Sequence, residues 1–142
     1  MKKIKFIIES DLDNVSLIGM SVRKLCSLTP FSENLSFQIE LCVVEAVNNC
    51  IIHAYNGALI HEVEVILSIN KEYLLLEVND KGKPMNSDTL EKANISNFDK
   101  DIELPETISE SGRGLAVIKE CMDKVSYKSD NGKNRLIMIK YY

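Results

Sequence analysis

The sequence has little of what marks several large classes of protein. Its 17 lysines and arginines form no basic run and the net charge is −4, so neither nucleic acid nor an anionic membrane is expected as the main partner. The apolar run near the N-terminus stops at Ile8 and Glu9 follows, which is too short for a signal peptide or a membrane span. We therefore expect a cytoplasmic protein without a membrane segment.

Cysteine and histidine are too scattered to indicate a metal cluster or a disulfide framework. The four cysteines show no CxxC spacing, and the two histidines do not cluster with them. Since no export signal is seen, reduced thiols are the favoured state. We expect free thiols on helices and no zinc site. The four cysteines are Cys26, Cys42, Cys50 and Cys121.

What the chain does contain is typical of a globular domain. It has 142 residues, of which 45% are hydrophobic and 27% charged. Neither a repeat nor a linker divides it, so we predict one domain, residues 1–142. The predicted order is a strand, two helices, a hairpin, a long polar loop, a helix and a second hairpin. Strands that occur as hairpin pairs favour an α+β fold, with helices on one face of a largely antiparallel sheet.

Turn and capping residues set the predicted boundaries of these elements. Ser32 is a candidate N-cap for a long helix that runs to about residue 55, where Asn56-Gly57 would end it. Asn131-Gly132 predicts the tight turn of the last hairpin. Residues 81–111 show weak periodicity, apart from a short helix around residues 87–93. A loop of about thirty residues inside a compact domain is usually either functional or a sign that an element has been assigned wrongly.

The long helix carries one narrow polar stripe. At about 100° per residue, Glu45, Asn49 and His53 lie within about 80° of one another, whereas the rest of the circumference is mostly apolar. A solvated edge would explain the stripe, but such edges usually repeat Lys, Glu or Arg, and asparagine is a poor residue inside a helix. Carboxylate and amide oxygens on one face suit a hard cation such as Mg²⁺.

Two further motifs stand at the ends of predicted elements. Alternation along the strand "YLLLEVND" places Asp80 on the apolar face, where it would be a buried acceptor for a ring amino group. A slip at the strand end would instead turn it to solvent, at the start of a turn before Gly82. In "ESGRGLAVIKE", Gly112 and Gly114 stand where a helix begins, with Arg113 between them. This position suits an anion, although many helices simply begin at glycine or serine.

The order and spacing of the three motifs resemble the N, G1 and G2 boxes of the GHKL ATPases. The "EAVNNCIIHAY" segment resembles that of the short anti-sigma-factor serine/threonine kinases, the switch kinases of bacteria. This resemblance spans nearly the whole chain. It implies a two-layer α/β sandwich of the GHKL (Bergerat) type with a mixed, largely antiparallel sheet, and an ATP lid at about residues 81–111.

The resemblance also implies roles for the stripe. Asn49 would ligate the Mg²⁺ that bridges the ATP phosphates, and Glu45 would be the general base that deprotonates the acceptor serine. His53 would support the phosphate end of the nucleotide. The cofactors implied are therefore ATP and Mg²⁺, and the implied activity is that of a protein kinase.

The remaining implied residues would bind the nucleotide. Asp80 would accept a hydrogen bond from the adenine amino group, with Gly82 beside it. Asn134 stands where family members usually have a threonine near the adenine, and Pro84 where glycine is also common. The glycine-rich segment would close on the phosphates. Its members are Gly112, Arg113, Gly114 and Leu115.

The implied function is an anti-sigma factor that phosphorylates a serine on a STAS-domain antagonist and sequesters a sigma factor or similar target. The resemblance also implies a possible homodimer and a partner contact at Arg23. A different class of function is a nucleotide-dependent module that binds partners without turnover. The catalytic domain of a histidine kinase is less favoured, because the sequence shows no dimerisation helices and no phospho-accepting histidine on a helix ahead of the domain.

Overall fold

Among the described residues, five strands form one sheet, in which the strands lie in the order first, second, third, fifth and fourth along the chain. The computed structural model describes residues 1–94 and 110–142, without the side chains of residues 110 and 111. Every pairing in the sheet is antiparallel. The strands are β1 (Lys2–Glu9), β2 (Glu62–Ile69), β3 (Tyr73–Asp80), β4 (Lys124–Asp130) and β5 (Lys133–Tyr141).

The long helix begins and ends at the residues that the capping pattern indicates. The Ser32 hydroxyl accepts a hydrogen bond from the Leu35 N–H at 3.2 Å, as an N-cap does. Past residue 49 the long helix continues as a π-helical turn, Cys50–Ala54. Both Asn56 (φ 51°) and Gly57 (φ 77°) are left-handed, which confirms the predicted end. The helices are α1 (Val15–Leu25), α2 (Glu33–Asn49), α3 (Thr89–Lys92) and α4 (Glu110–Cys121).

One face of the sheet packs against α1, α2 and α4, and the core lies between these two layers. Alternate residues of the central strands point to the helices because side chains in a strand alternate between faces. The two-layer α+β sandwich predicted from the sequence is thus confirmed, with antiparallel pairs throughout the described sheet rather than a mixed set. Core residues of both layers include Val43, Val47, Val65, Leu76, Val78, Ile118 and Met138.

The helix layer depends on close approach between α1 and α2. A Cβ added to Gly19 would lie 2.8 Å from Cγ2 of Val44, so α1 packs against α2 where it has no side chain. By length and composition alone, residues 33–54 would pass as a membrane span, the only such helix among the described residues. Because Cys42, Val43, Ala46 and Val47 are buried within the fold, these residues form a core helix.

Two other sequence predictions concern the cysteines and the lid. All four cysteines are free; Cys26, Cys42 and Cys50 are buried and Cys121 is half-buried, as expected for reduced thiols. The short helix predicted within the lid is observed as α3. Residues 95–109 of the predicted lid lie outside the described residues, and the boundaries of the domain and lid stay predictions.

On the face of the sheet away from the helices, Glu64 accepts from three side chains. Its oxygens lie 2.9 Å from Lys5 Nζ, 3.2 Å from Lys133 Nζ and 3.0 Å from Asn79 Nδ2. The hydrogen bond from Lys5 is the largest of the effects that hold the pKa of Glu64 at about 2. The carboxylate is therefore favoured over the carboxylic acid in the folded state more than in the unfolded chain.

This network predicts a specific acid sensitivity. Because folding lowers the pKa of Glu64 from 4.5 to about 2, the unfolded chain binds more protons in that interval. The stabilisation is complete above about pH 4.5 and is lost as the pH falls towards 2. We expect Glu64→Gln to be less stable than wild type at pH 6, with the gap narrowing at pH 3 in urea denaturation. Glu62→Gln, at an exposed position, is the control. A gap that stays constant with pH would contradict this.

Candidate functional site

A cleft of about 330 Å³ opens between the C-terminal half of the long helix, α4 and the ends of β3 and β5. Asn49, His53 and Asp80, which the sequence predicted as binding residues, all line it, as does Leu115. Its deeper walls are apolar, which suits a flat ring. Those walls include Ala46, Val78, Met85, Tyr127 and Leu136.

The long helix changes its geometry at the cleft. After Asn49 its bonds widen from i+4 to i+5, as in the Tyr55 N–H to Cys50 O bond of 3.0 Å. Single π-helical turns in α-helices occur frequently at functional sites. The π turn changes the angular spacing on which the predicted stripe was based, so the 3.6-residue period holds for Glu45 and Asn49 but not beyond them. His53 is exposed and still lines the cleft.

Asp80 ends β3 inside the fold, which decides between the two orientations that the sequence left open. Its side chain lies on the face of Leu76 and Val78 and is only 8% exposed. Oδ1 accepts from the Gly82 N–H at 2.9 Å and from Asn134 Nδ2 at 2.7 Å. These donors hold the carboxylate in one orientation, with Asp80 among the residues that line the cleft.

Asn134 supports Asp80 rather than lining the cleft itself. Its amide nitrogen donates to Asp80 Oδ1 and, at 3.0 Å, to the Gly82 carbonyl, while its oxygen accepts from Ser129 Oγ at 2.7 Å. The side chain is 1% exposed, and the pairing of Asp80 with Asn134 across β3 and β5 places it there. Of the described residues of β5, Leu136 lines the cleft and Asn134 does not.

Gly82 lets the turn after β3 lie directly on the end of the long helix. A Cβ at this position would be 2.3 Å from the Ala54 carbonyl oxygen and 2.5 Å from its carbon. The next residue, Lys83, donates its N–H to the same carbonyl at 2.9 Å. Because residue 82 has no side chain, the element that carries Asp80 can lie close to the helix that carries Asn49.

Gly82→Ala is expected to destabilise the protein by about 1–3 kcal/mol, because the added methyl meets backbone atoms that cannot rotate away. The Asp80 turn would shift with it, so nucleotide affinity should fall as well. Urea denaturation and nucleotide titration would measure the two effects. Lys81→Ala removes a neighbouring exposed side chain and should change neither by much. A Gly82→Ala protein as stable as wild type would show that the turn moves freely.

Tyr55 ties the same region together from the other side. Its hydroxyl donates to the Glu62 carbonyl at 2.7 Å and accepts from the Lys81 N–H at 2.8 Å. Its ring stacks on His61 with centroids 4.5 Å apart. The helix end, the start of β2 and the end of β3 are thus joined through one phenol group, and burial raises its pKa.

Glu45 lies one turn before Asn49 and packs against α4. A Cβ on Gly114 would come within 2.5 Å of Glu45 Oε2, so a larger residue at this position would have to displace the carboxylate. Glu45 is half-buried and is not among the residues that line the cleft. Glu45 therefore lies one helical turn before Asn49, and its carboxylate packs against the first turns of α4.

The sequence predicted that α4 begins at the glycine pair, but the helix already includes the two residues before Gly112. The helix begins at Glu110, so Gly112 and Gly114 fall within its first turns. Gly112 is half-buried, Arg113 is exposed, and Leu115 is buried in the cleft wall. The requirement at Gly114 is close approach to Glu45.

The residues of the cleft fit a magnesium ion that is held largely by a nucleotide. Asn49 lines the cleft, and its buried amide nitrogen has no hydrogen-bond partner among the described residues. A half-turn of the amide would place its oxygen at that same point. No group of three or more His, Cys, Asp or Glu in the described part of the chain could hold a metal alone. Mg²⁺ bound through few protein ligands and phosphates matches that arrangement.

Several residues of the cleft were not predicted from the sequence, among them Cys50, Lys83 and Tyr127. Cys50 lines the cleft, and burial together with the negative charge of Asp80 raises the pKa of its thiol well above the usual value. Lys83 adds a cation at the rim. The Tyr127 hydroxyl accepts from the Met85 N–H at 3.0 Å and fixes the segment after Gly82. Only the position of Lys83 next to a glycine turn would have signalled its role.

Together these features define a nucleotide-binding α/β sandwich, with an apolar pocket that suits a flat ring, a buried carboxylate and a polar rim. A family model for the histidine kinase-like ATPase domain matches residues 8–140, and the chain belongs to that family. No curated protein matches the chain. The predicted GHKL superfamily is confirmed, whereas membership of the switch-kinase group stays a prediction. Domains of this family bind ATP and use it for phosphotransfer or hydrolysis.

Proposed function

We propose that the protein is an ATP-dependent serine/threonine protein kinase of the switch-kinase type. The observation that carries the proposal is the position of Glu45, which lies one helical turn before the cleft residue Asn49, packs against Gly114 and does not line the apolar pocket. A module that only binds nucleotide has no need for a carboxylate there. A carboxylate at that place is suited to accept the proton of an attacking hydroxyl.

Glu45 and the residues that line the cleft each have a role in this reaction. Asp80 receives the amino group of the base, and the apolar walls hold its ring. Asn49 would hold Mg²⁺, which supplies charge neutralisation on the phosphates when it is bound. His53 and Lys83 lie at the rim, where they would contact the phosphates, and Glu45 takes the proton of the acceptor serine. Phosphoryl transfer needs mainly such positioning and charge stabilisation.

Binding of phosphates by the start of α4 belongs to the same proposal. The first turns of α4 carry Gly112 and Arg113. The next residue, Gly114, contacts Glu45. Backbone N–H groups at a helix start favour negative charge, and the guanidinium adds to it. Leu115 then closes the apolar wall. In this arrangement one segment contacts both the phosphates and the catalytic carboxylate.

The proposed partners are a STAS-domain antagonist as phosphate acceptor and a sigma factor or similar target that is sequestered, in the cytoplasm. Arg23 supports a contact surface on α1. It is 41% exposed, lies over the Phe37 ring at 5.3 Å, and bonds Glu40 at 3.1 Å. Its guanidinium is thus held in place while part of it faces solvent. A homodimer is also proposed.

The test is incubation of the protein with γ-labelled ATP, Mg²⁺ and the STAS protein encoded nearest to it. We expect labelled phosphoserine on the STAS protein, and none when its acceptor serine is replaced by alanine. Omission of Mg²⁺ should also abolish transfer. If ATP binds and changes partner affinity without any transfer, the protein is the nucleotide-dependent binding module instead.

A further inference from the structure

Ser129, Asn134 and Asp80 lie directly opposite one another on three neighbouring strands. Ser129 of β4 pairs with Asn134 of β5, and Asn134 pairs with Asp80 of β3. The tight turn Asn131-Gly132 sets the first of these registers, because both of its residues are left-handed (φ 51° and 74°), as a two-residue hairpin turn requires. Opposite residues of antiparallel strands place their side chains on the same face, so the three polar side chains form one row.

Hydrogen bonds run along this row from the protein surface to the cleft. The exposed Ser129 donates from Oγ to Asn134 Oδ1 at 2.7 Å, and Asn134 Nδ2 donates to Asp80 Oδ1 at 2.7 Å. Asn134 is 1% exposed and does not line the cleft, whereas Asp80 does. The row therefore joins an exposed hydroxyl to the buried carboxylate of the candidate base site.

The orientation of the Asn134 amide follows from its neighbours. Its nitrogen end faces two acceptors, the Asp80 carboxylate and the Gly82 carbonyl, so its oxygen end faces Ser129. A half-turn of the amide would bring its oxygen against both acceptors and leave them without this donor. The Ser129 hydroxyl completes the arrangement, because it satisfies the oxygen of a side chain that is almost fully buried.

The donors to Asp80 within this row and the adjoining turn act on the same carboxylate oxygen. The Gly82 N–H, at 2.9 Å, and Asn134 Nδ2 both bond Oδ1, and neither bonds Oδ2. Two donors on one oxygen fix the direction of the carboxylate plane, so little reorganisation is needed when a ligand arrives. Oδ2 is then the oxygen with which Asp80 can accept from a donor in the cleft.

We propose that Ser129 and Asn134 are positioning residues for base recognition, which hold Asp80 so that its Oδ2 accepts the amino group of the base. Neither residue contacts the nucleotide in this arrangement. The inference rests on the proposed nucleotide site and adds two residues, one of them at the protein surface, that set its affinity for the base.

The experiment compares dissociation constants for Mg·ATP and for inorganic tripolyphosphate with Mg²⁺. Ser129→Ala removes the first donor and should lower ATP affinity by about 3- to 10-fold, the usual effect of one hydrogen bond. Asn134→Ala removes the donor to Asp80 itself and should lower ATP affinity by roughly tenfold or more, the effect of a hydrogen bond to a charged group. Tripolyphosphate has no base, so both variants should bind it as wild type does.

Two further variants separate the hydroxyl group from other properties of the strand. Ser129→Thr keeps the hydroxyl and should bind ATP as wild type does. Ser126→Ala, at another exposed serine of β4, is the matched control and should also bind ATP normally. Thermal melting shows which variants are folded. Because Ser129 is exposed, its variants test the inference even if Asn134→Ala does not fold.

The outcomes separate this inference from the proposed function. If wild type binds ATP and Ser129→Ala binds it equally well, the row does not position the carboxylate, and the nucleotide site stands. Equal losses for ATP and tripolyphosphate would show that the row only maintains the shape of the cleft, which overturns the inference. A loss in Ser129→Thr as large as that in Ser129→Ala would also overturn it, because the hydroxyl would not be the cause. If wild type does not bind ATP, the proposed nucleotide site is wrong as well.

Discussion

Glu45→Gln is expected to slow phosphoryl transfer to the acceptor serine by about 10²- to 10⁴-fold, the usual contribution of a general base. Glutamine has nearly the same shape, so the contact with Gly114 should survive. Glu45 does not line the apolar pocket, and ATP affinity should therefore change little. Transfer rates with γ-labelled ATP and equilibrium titration of ATP would measure the two quantities in the same preparation.

The matched control is Glu120→Gln, an exposed carboxylate on α4. It makes the same chemical change on the helix that contacts Glu45, and it should leave both rate and affinity as in wild type. Transfer by Glu45→Gln at the wild-type rate would exclude Glu45 as the base. Loss of ATP binding in that variant would instead assign Glu45 to the nucleotide site.

Features that depend on one element at a time could be predicted from the sequence. Glu45 and Asn49 are one helical turn apart, so their shared face follows from the 3.6-residue period. The inward direction of Asp80 follows from strand alternation once the register is known. The left-handed residues at the helix end, Asn56 and Gly57, follow from their intrinsic backbone preference.

Features that join distant elements could not be predicted in the same way. A Cβ added to Gly82 would lie 2.3 Å from Ala54, and Gly114 contacts Glu45. Both close approaches are set by how the helices pack on the sheet. Sequence showed glycines there but not what approaches them. The π-helical turn escaped prediction because no residue in "CIIHA" distinguishes i+5 from i+4 bonding.

These long-range contacts share one consequence for the site. Gly82 and Asn134 both donate to the Asp80 carboxylate. The sequence identified the acceptor, and the structure shows that the turn after β3 and strand β5 both hold it. A carboxylate held by several donors is already oriented and needs little reorganisation when a ligand arrives. Base recognition therefore depends on the whole edge of the sheet.

Asp80→Asn is accordingly expected to lower ATP affinity by roughly 10- to 100-fold, because a charged acceptor is lost. An amide at this position must also turn either its nitrogen or its oxygen toward the donors that bond the Asp80 carboxylate in the wild-type protein. If the nitrogen faces Asn134 Nδ2 or the Gly82 N–H, two donors meet. We expect stability to fall by about 1–3 kcal/mol, the cost of unpaired buried polar groups. Thermal melting and ATP titration would measure both.

Inorganic tripolyphosphate with Mg²⁺ separates loss of base recognition from general damage to the cleft. This probe has no base, so Asp80→Asn should bind it as wild type does while ATP binding falls. Asp130→Asn, an exposed aspartate at the end of β4, is the control and should bind both ligands normally. Asp80→Asn with wild-type affinity for ATP would show that the carboxylate does not read the base. Equal losses for both ligands would show that Asp80 acts on the shape of the cleft, since only the nucleotide can contact it through an amino group.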